Sequence, residues 1–194
     1  MAAYLLPVFA YLLGSLSSAI AIARLFKLKD PREVGSGNPG ATNILRYGGK
    51  QAAVLTLLGD ILKGAIPVLV AQALGANSVI LALTLLAAFL GHVFPVFHGF
   101  KGGKGVATAF GVLAALNGWV GLALVVSWLA IAVVTRYSSL SAITVAVLAP
   151  VYVWWFTREP APILATGIMA LLLLWRHRSN IQNLLAGSET KIGR

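Results

Sequence analysis

The sequence predicts an all-α polytopic membrane protein, and three observations predict it. The chain of 194 residues is 59% hydrophobic and only 10% charged, and its mean hydropathy of +0.88 lies far outside the range of a water-soluble domain. Its apolar residues gather in blocks comparable to the roughly 20 residues that cross about 30 Å of hydrocarbon. Its lysines and arginines fall between alternate blocks, as the positive-inside rule requires. Together these features predict seven transmembrane helices in a single integral membrane domain, residues 1–194, with the N-terminus outside and the C-terminus cytoplasmic.

The first block, 4–23, has no basic segment before it and no small-residue cleavage site with a soluble domain after it. It reads as a retained span rather than a signal peptide. Blocks at 52–74 and 79–97 follow, separated by the minimal turn Gly75-Ala76-Asn77. The run from Val106 to Val134 is too long for one span and too short for two full ones. Asn117-Gly118 therefore marks a tight turn between a short helix over about 106–116 and a full one over 119–134. A short helix is tolerated at membrane depth where it lines a polar cavity. Blocks at 140–156 and 161–175 complete the set.

With the N-terminus outside, the inner segments hold Arg24, Lys27, Lys29, Arg32, Arg46, Lys50, Lys101, Lys104, Arg136, Arg176, Arg178, Lys191 and Arg194. Outside there is only Arg158, beside Glu159, and Lys63 lies within a span. The net charge of +10 is thus a matter of topology, and no nucleic-acid partner is expected. Trp119, Trp154, Trp155 and Trp175 fall near block ends and read as interfacial belts. The chain lacks cysteine, which excludes a disulfide framework, a thiolate nucleophile and a cysteine-based metal site.

Two glycine-rich basic segments interrupt the apolar pattern on the predicted cytoplasmic side. Gly35-Ser36-Gly37-Asn38-Pro39-Gly40-Ala41-Thr42-Asn43, with Arg46 and Lys50 nearby, is suited to an anion. Glycines let backbone N–H groups converge, and Thr42 or Asn43 is placed to cap the following helix. Gly99-Phe100-Lys101-Gly102-Gly103-Lys104-Gly105 forms a second cradle before the short helix. It is not a Walker A loop, because His98 stands where the first glycine is needed and Gly105 where the hydroxyl is needed. Lys104, between glycines at a helix start, is the strongest anion-binding residue, whereas Lys101 better fits a purely topological role.

Asp60 and Lys63, three residues apart inside a span, favour structural pairing over catalysis. His177 and Asn180 share one face just after the last span, where a histidine serves as base or phosphate ligand. His92 and His98 read as structural, since periodicity offers them no partner. The five acids are scattered, without paired-carboxylate spacing, so no metal site and no cofactor are expected. No G-x-S-x-G elbow is present.

The segments 35–46 with 48–50, 60–64, 91–97, 99–108 and 177–181 closely resemble the bacterial acyl-phosphate-dependent glycerol-3-phosphate acyltransferase family. They bracket nearly the whole chain, and the first segment and the run from 91 to 108 are long and particular. Asn183 departs from the pattern, where the family often has arginine. The resemblance implies seven spans in the bacterial inner membrane, an active site open to the cytoplasm, and acyl transfer from acyl phosphate to the 1-hydroxyl of glycerol 3-phosphate. It implies that Ser36, Gly37, Asn38, Gly40, Thr42 and Asn43 cradle the acyl-phosphate head group, with Lys101, Gly102 and Gly103 also binding substrate. Lys104 would be shared between the two anions, with Arg46, Ser141, His177 and Asn180 on glycerol 3-phosphate. Functional coupling to an acyl-phosphate-producing enzyme is a further expectation, and membrane lipid is the surrounding partner. A transporter for organic phosphates fits less well, because every conspicuous polar motif lies on one face and no internal repeat is evident. A lipid-binding subunit has no use for two cradles, and a metal-dependent phosphotransferase lacks the acids.

Overall fold

The structure, a computed structural model, describes residues 2–193 and is helical throughout its regular elements. Its α-helices are α1 (Leu6–Gly14), α2 (Ser18–Leu25), α3 (Ala41–Ala73), α4 (Ser78–Val93), α5 (Val106–Leu116), α6 (Gly118–Thr135), α7 (Ser138–Thr157), α8 (Pro160–Arg176) and α9 (Arg178–Leu185). Arg194, counted above among the inner charges, lies outside the described residues. By length and composition four helices can cross a membrane, or six if each of two bent pairs counts as one span. The short helix α5 coincides with the expected 106–116, and at 1.5 Å per residue it reaches only about half-way across a bilayer.

Two apolar blocks differ from expectation. The first is broken between α1 and α2 by a bend of 42°. Here the Ser15 hydroxyl donates to the Tyr11 carbonyl and accepts from the Val96 N–H, while Ser17 caps α2 by accepting from the Ile20 N–H. Small polar side chains that bond to nearby backbone compete with a continuous helix. The second block starts earlier than 52, because α3 begins at Ala41 and bends at Gly49, whose φ of 82° is outside helical space. The remaining blocks match α4, α6, α7 and α8 within a few residues. Asn117 forms the expected turn, accepting from the N–H groups of Trp119 and Val120.

Two close helix pairs frame the interior. Where α1 meets α4, Gly14 lies against the Ala88 carbonyl and Gly91 against that of Tyr11; where α3 meets α5, Gly64 lies against Thr108 and Gly111 against Ile61. A Cβ at any of these four positions would collide with backbone. Lipid gives helices little hydrophobic reason to associate, so close backbone approach supplies the packing. The main core, including Leu85, Phe89, Val112, Val153 and Met169, fills the space between α4, α5, α7 and α8. These contacts fix the start of α5 against the end of α8, where the polar residues collect.

Candidate active site

The first glycine-rich loop is held by one buried side chain. Asn43 accepts from the Ser36 N–H at 3.0 Å and donates to the carbonyls of Pro31 and Val34 at 2.9 and 3.0 Å. An amide with two donors and an acceptor is suited to stapling a turn in this way. Gly35 has φ of 61°, and a side chain there would be strained and would strike the Asn43 amide oxygen. The expected cap is therefore corrected: Gly40 is the N-cap of α3 without a side-chain bond, while Asn43 is committed to the loop. Ser36, Gly37 and Thr42 are exposed, with Asn38 and Gly40 half-buried beside them. Asp30 stiffens the approach to this loop by accepting from the Arg32 guanidinium, which holds its carboxyl down at about 2.

The second loop lies flat on the end of α4. The N–H groups of Gly102 and Gly103 donate to the carbonyls of Val93 and His92, each at 3.2 Å, and Arg176 donates to the Gly102 carbonyl. Both glycines are buried, and a Cβ on Gly103 would meet the His92 ring on one side and the Pro39 carbonyl on the other. The two cradles thus touch at Pro39 and Gly103. Gly105 turns the chain into α5 with φ of 87°, its α-carbon against the Phe89 ring.

Lys104 leaves this loop to donate to the Asn180 amide oxygen. The Asn180 amide nitrogen donates to Glu189 Oε1 at 2.7 Å, and Ser139 donates to the same oxygen at 2.7 Å. Burial pulls the Lys104 ammonium below its ordinary pKa, Glu189 opposes that shift, and Arg176 and Arg46 reinforce it. The cluster is therefore a concentration of positive charge with one carboxylate, beside the uncapped N-terminus of α5. Such an end favours an anion.

His177 follows the last residue of α8 and is 3% exposed. Its Nδ1 lies 2.9 Å from the Leu173 carbonyl, which can only accept, so Nδ1 carries the hydrogen and Nε2 presents a lone pair. Burial lowers its pKa to about 4; Leu173 opposes the shift, and Lys104 strengthens it. Ser141 is buried and donates to the Tyr137 carbonyl, and Lys101 is exposed. Lys104, Asn180, His177, Arg46, Gly102 and Gly103 thus come together, whereas Asn43 and Ser141 are spent on local structure.

The histidine expected to lack a partner has two. His92 Nδ1 lies 3.1 Å from the Thr108 hydroxyl and 3.6 Å from Asp60, whose carboxylate pairs with Lys63 at 2.9 Å. Lys63 also donates to the Leu16 carbonyl at 2.7 Å, in the break between α1 and α2. The expected pairing of Asp60 with Lys63 is thus present, within a larger network behind the second loop. Glu189, Arg176 and Ser139 were not legible as site residues, since nothing in their spacing joins them to Lys104.

A small apolar recess opens among α5, α6, α7 and α8, lined by Val106, Phe110, Leu113, Val145, Met169 and Leu173, among others. Two of its lining residues neighbour the polar cluster: Val106 follows Lys104 by two residues, and the Leu173 carbonyl accepts from His177.

Comparison with known proteins agrees over the whole chain. Residues 4–187 match the glycerol-3-phosphate acyltransferase family model. The glycerol-3-phosphate acyltransferase of Thioalkalivibrio sulfidiphilus (strain HL-EbGR7) is 59% identical over 95% of this chain and 91% of its own length. That of Methylococcus capsulatus (strain ATCC 33009 / NCIMB 11132 / Bath) is 53% identical over 98% and 96%. The crystal structure of PlsY (YgiH), an integral membrane glycerol 3-phosphate acyltransferase, in its glycerol 3-phosphate form superposes with a TM-score of 0.94 at 44% identity, covering 100% of this chain and 96% of that one. Its lysophosphatidic acid form gives 0.92 at 43%, with the same coverage.

Proposed function

The chain belongs to the glycerol-3-phosphate acyltransferase family, and from that membership we propose that it transfers an acyl chain from acyl phosphate to the sn-1 hydroxyl of glycerol 3-phosphate, yielding lysophosphatidic acid and phosphate. The observation that carries this reading is an apolar recess neighbouring a half-buried cationic cluster. An amphiphile with an anionic head and a long tail fits that arrangement, and a second anion completes it.

The 1-hydroxyl oxygen attacks the acyl carbonyl carbon, the new C–O ester bond forms, and the bond from that carbon to the phosphate oxygen breaks. The hydroxyl proton passes to the departing phosphate or to Nε2 of His177. Acyl phosphate is already activated, so positioning and charge stabilisation suffice, with no covalent intermediate. The Lys104 ammonium has three donors and gives one to Asn180, leaving two for the anions. Arg46 binds glycerol 3-phosphate beside His177 and Asn180. The Ser36 and Thr42 hydroxyls, the Asn38 N–H and the Lys101 ammonium receive the donor head group, while Gly37, Gly40, Gly102 and Gly103, whose N–H groups bond within the loops, shape the walls with Asn43 and Ser141.

In this reading seven spans place the N-terminus outside and the site on the cytoplasmic face of the bacterial inner membrane, α5 being the short seventh. The acyl phosphate comes from a separate enzyme that makes it, and neither metal nor cofactor takes part. A single-turnover assay with EDTA tests the reading: purified protein receives glycerol 3-phosphate with palmitoyl phosphate or palmitoyl coenzyme A, and lysophosphatidic acid is followed by mass. Product from the phosphate donor alone supports it; product from the thioester alone overturns the donor. Folded protein that binds glycerol 3-phosphate yet gives no product favours a transporter.

A further inference from the structure

Glu189 lies beyond every segment that carries the family resemblance, yet its carboxylate sits at the centre of the site's polar contacts. Three further contacts hold the terminal segment across the turn between α6 and α7. The Ile192 N–H donates to the Arg136 carbonyl at 2.7 Å, Arg136 donates back to the Ile192 carbonyl at 3.1 Å, and Lys191 lies 5.4 Å from the Tyr137 ring. The segment turns inward between Gly187 and Lys191, placing Glu189 Oε1 2.7 Å from both the Ser139 hydroxyl and the Asn180 amide nitrogen.

The hydrogen-bonding capacities in this chain allow only one arrangement. An ammonium only donates and a carboxylate only accepts. Asn180, lying between them, must therefore turn its oxygen to Lys104 and its nitrogen to Glu189. Remove the carboxylate and the amide loses one of its two anchors; held by the ammonium alone, the Asn180 side chain can swing away and carry its oxygen off Lys104. Lys104 would then lose the acceptor that aims it, and its remaining donors would no longer converge on the substrate anions. Ser139, 8% exposed, fixes Glu189 from the opposite side.

We propose that Glu189 is a positioning residue of the acyl-transfer site: through Asn180 it orients the Lys104 ammonium, and the terminal segment is a built wall of the site rather than a tail. This inference rests on the acyltransferase reading above, and wild-type turnover is its reference, so an inactive wild type would refute that reading and not this one. The role depends on an acceptor at a fixed place rather than on negative charge. Two near-isosteric variants separate these properties. Glu189→Gln keeps an acceptor oxygen at the same reach and loses the charge, whereas Glu189→Asp keeps the charge and withdraws it by one methylene.

The experiment measures lysophosphatidic acid formation by the purified full chain with palmitoyl phosphate and glycerol 3-phosphate, with thermal unfolding to confirm folding. Glu189→Ala and Glu189→Asp are expected to lower kcat by about tenfold or more, the scale seen when an outer partner that orients a binding group is lost. Glu189→Gln is expected to retain most of the wild-type rate. Added to Asn180→Ala, Glu189→Ala is expected to cost nothing further, since the two act in series. The proposal is overturned if Asp restores activity and Gln does not, or if the losses from Glu189→Ala and Asn180→Ala multiply. Should Glu189→Ala fail to fold, the Gln and Asp pair still decides.

Discussion

Two lysines are buried in this protein under opposite conditions. Lys63 is enclosed within the helices: its ammonium is paired with Asp60 at 2.9 Å, donates to the Leu16 carbonyl at 2.7 Å and is 6% exposed. Lys104 lies at the mouth of α5, half-buried, with the neutral amide of Asn180 as its hydrogen-bond partner and the charges of Arg176 and Arg46 acting on it. The first charge is answered inside the fold, and the second is left for something that arrives. In the proposed reading that difference separates a buried charge that holds a structure together from a half-buried one that meets substrate.

Removing the internal answer has the larger effect. Asp60→Ala leaves the Lys63 ammonium uncompensated among apolar helices, which costs about 3–5 kcal/mol. Thermal unfolding in detergent checks this, and an unchanged midpoint would mean that the network is not structural. Lys104→Ala is expected to leave the midpoint near wild type and to lower turnover by about 10²–10³-fold, the scale of losing one preorganised donor to developing charge. If it unfolds the protein instead, the two lysines are alike and the comparison collapses. Thr108→Val removes one neutral bond to His92, for about 1 kcal/mol of stability, and turnover is expected to persist. A large loss of rate with full stability would move His92 from the supporting network into the chemistry.

The smallest test concerns His177 and its protonation. Its pKa is lowered from 6.5 to about 4 chiefly by burial, so the folded state favours the neutral ring. The unfolded chain takes up its proton first as pH falls, and stability is lost between about 6.5 and about 4 and not further below. Nitrogen NMR of histidine-labelled protein is expected to show a ring neutral across pH 5–8, protonated on Nδ1 (pH range of the test, about three units). A midpoint near the ordinary histidine value would contradict the burial assigned to it.

The helices were legible because membrane spans are long and the apolar signal is strong; even the short α5 follows from Asn117-Gly118. The break at Ser15-Leu16-Ser17 was not, because its cause lies in distant partners: Val96 for Ser15 and Lys63 for the freed Leu16 carbonyl. Both glycine-rich loops and Lys104 were visible in composition alone. Asn43, by contrast, looked like a cap or ligand and is a staple, since local sequence does not reveal which loop carbonyls fold back over an amide. Glu189 was one of five scattered acids, and only the return of the chain after α9 brings it to Asn180. His92 gained its two partners in the same way, from α3 and α5.

In the proposed site the spare donors of Lys104 receive a phosphate group, whereas Lys63, enclosed with Asp60, does not reach one. Calorimetric titration of glycerol 3-phosphate into wild type, Lys104→Ala and the paired variant Asp60→Asn/Lys63→Met tests this most directly, with each protein first shown to be folded. Wild type and the paired variant are expected to bind alike, and Lys104→Ala to lose binding. Undiminished binding by Lys104→Ala, or loss confined to the folded paired variant, would contradict this.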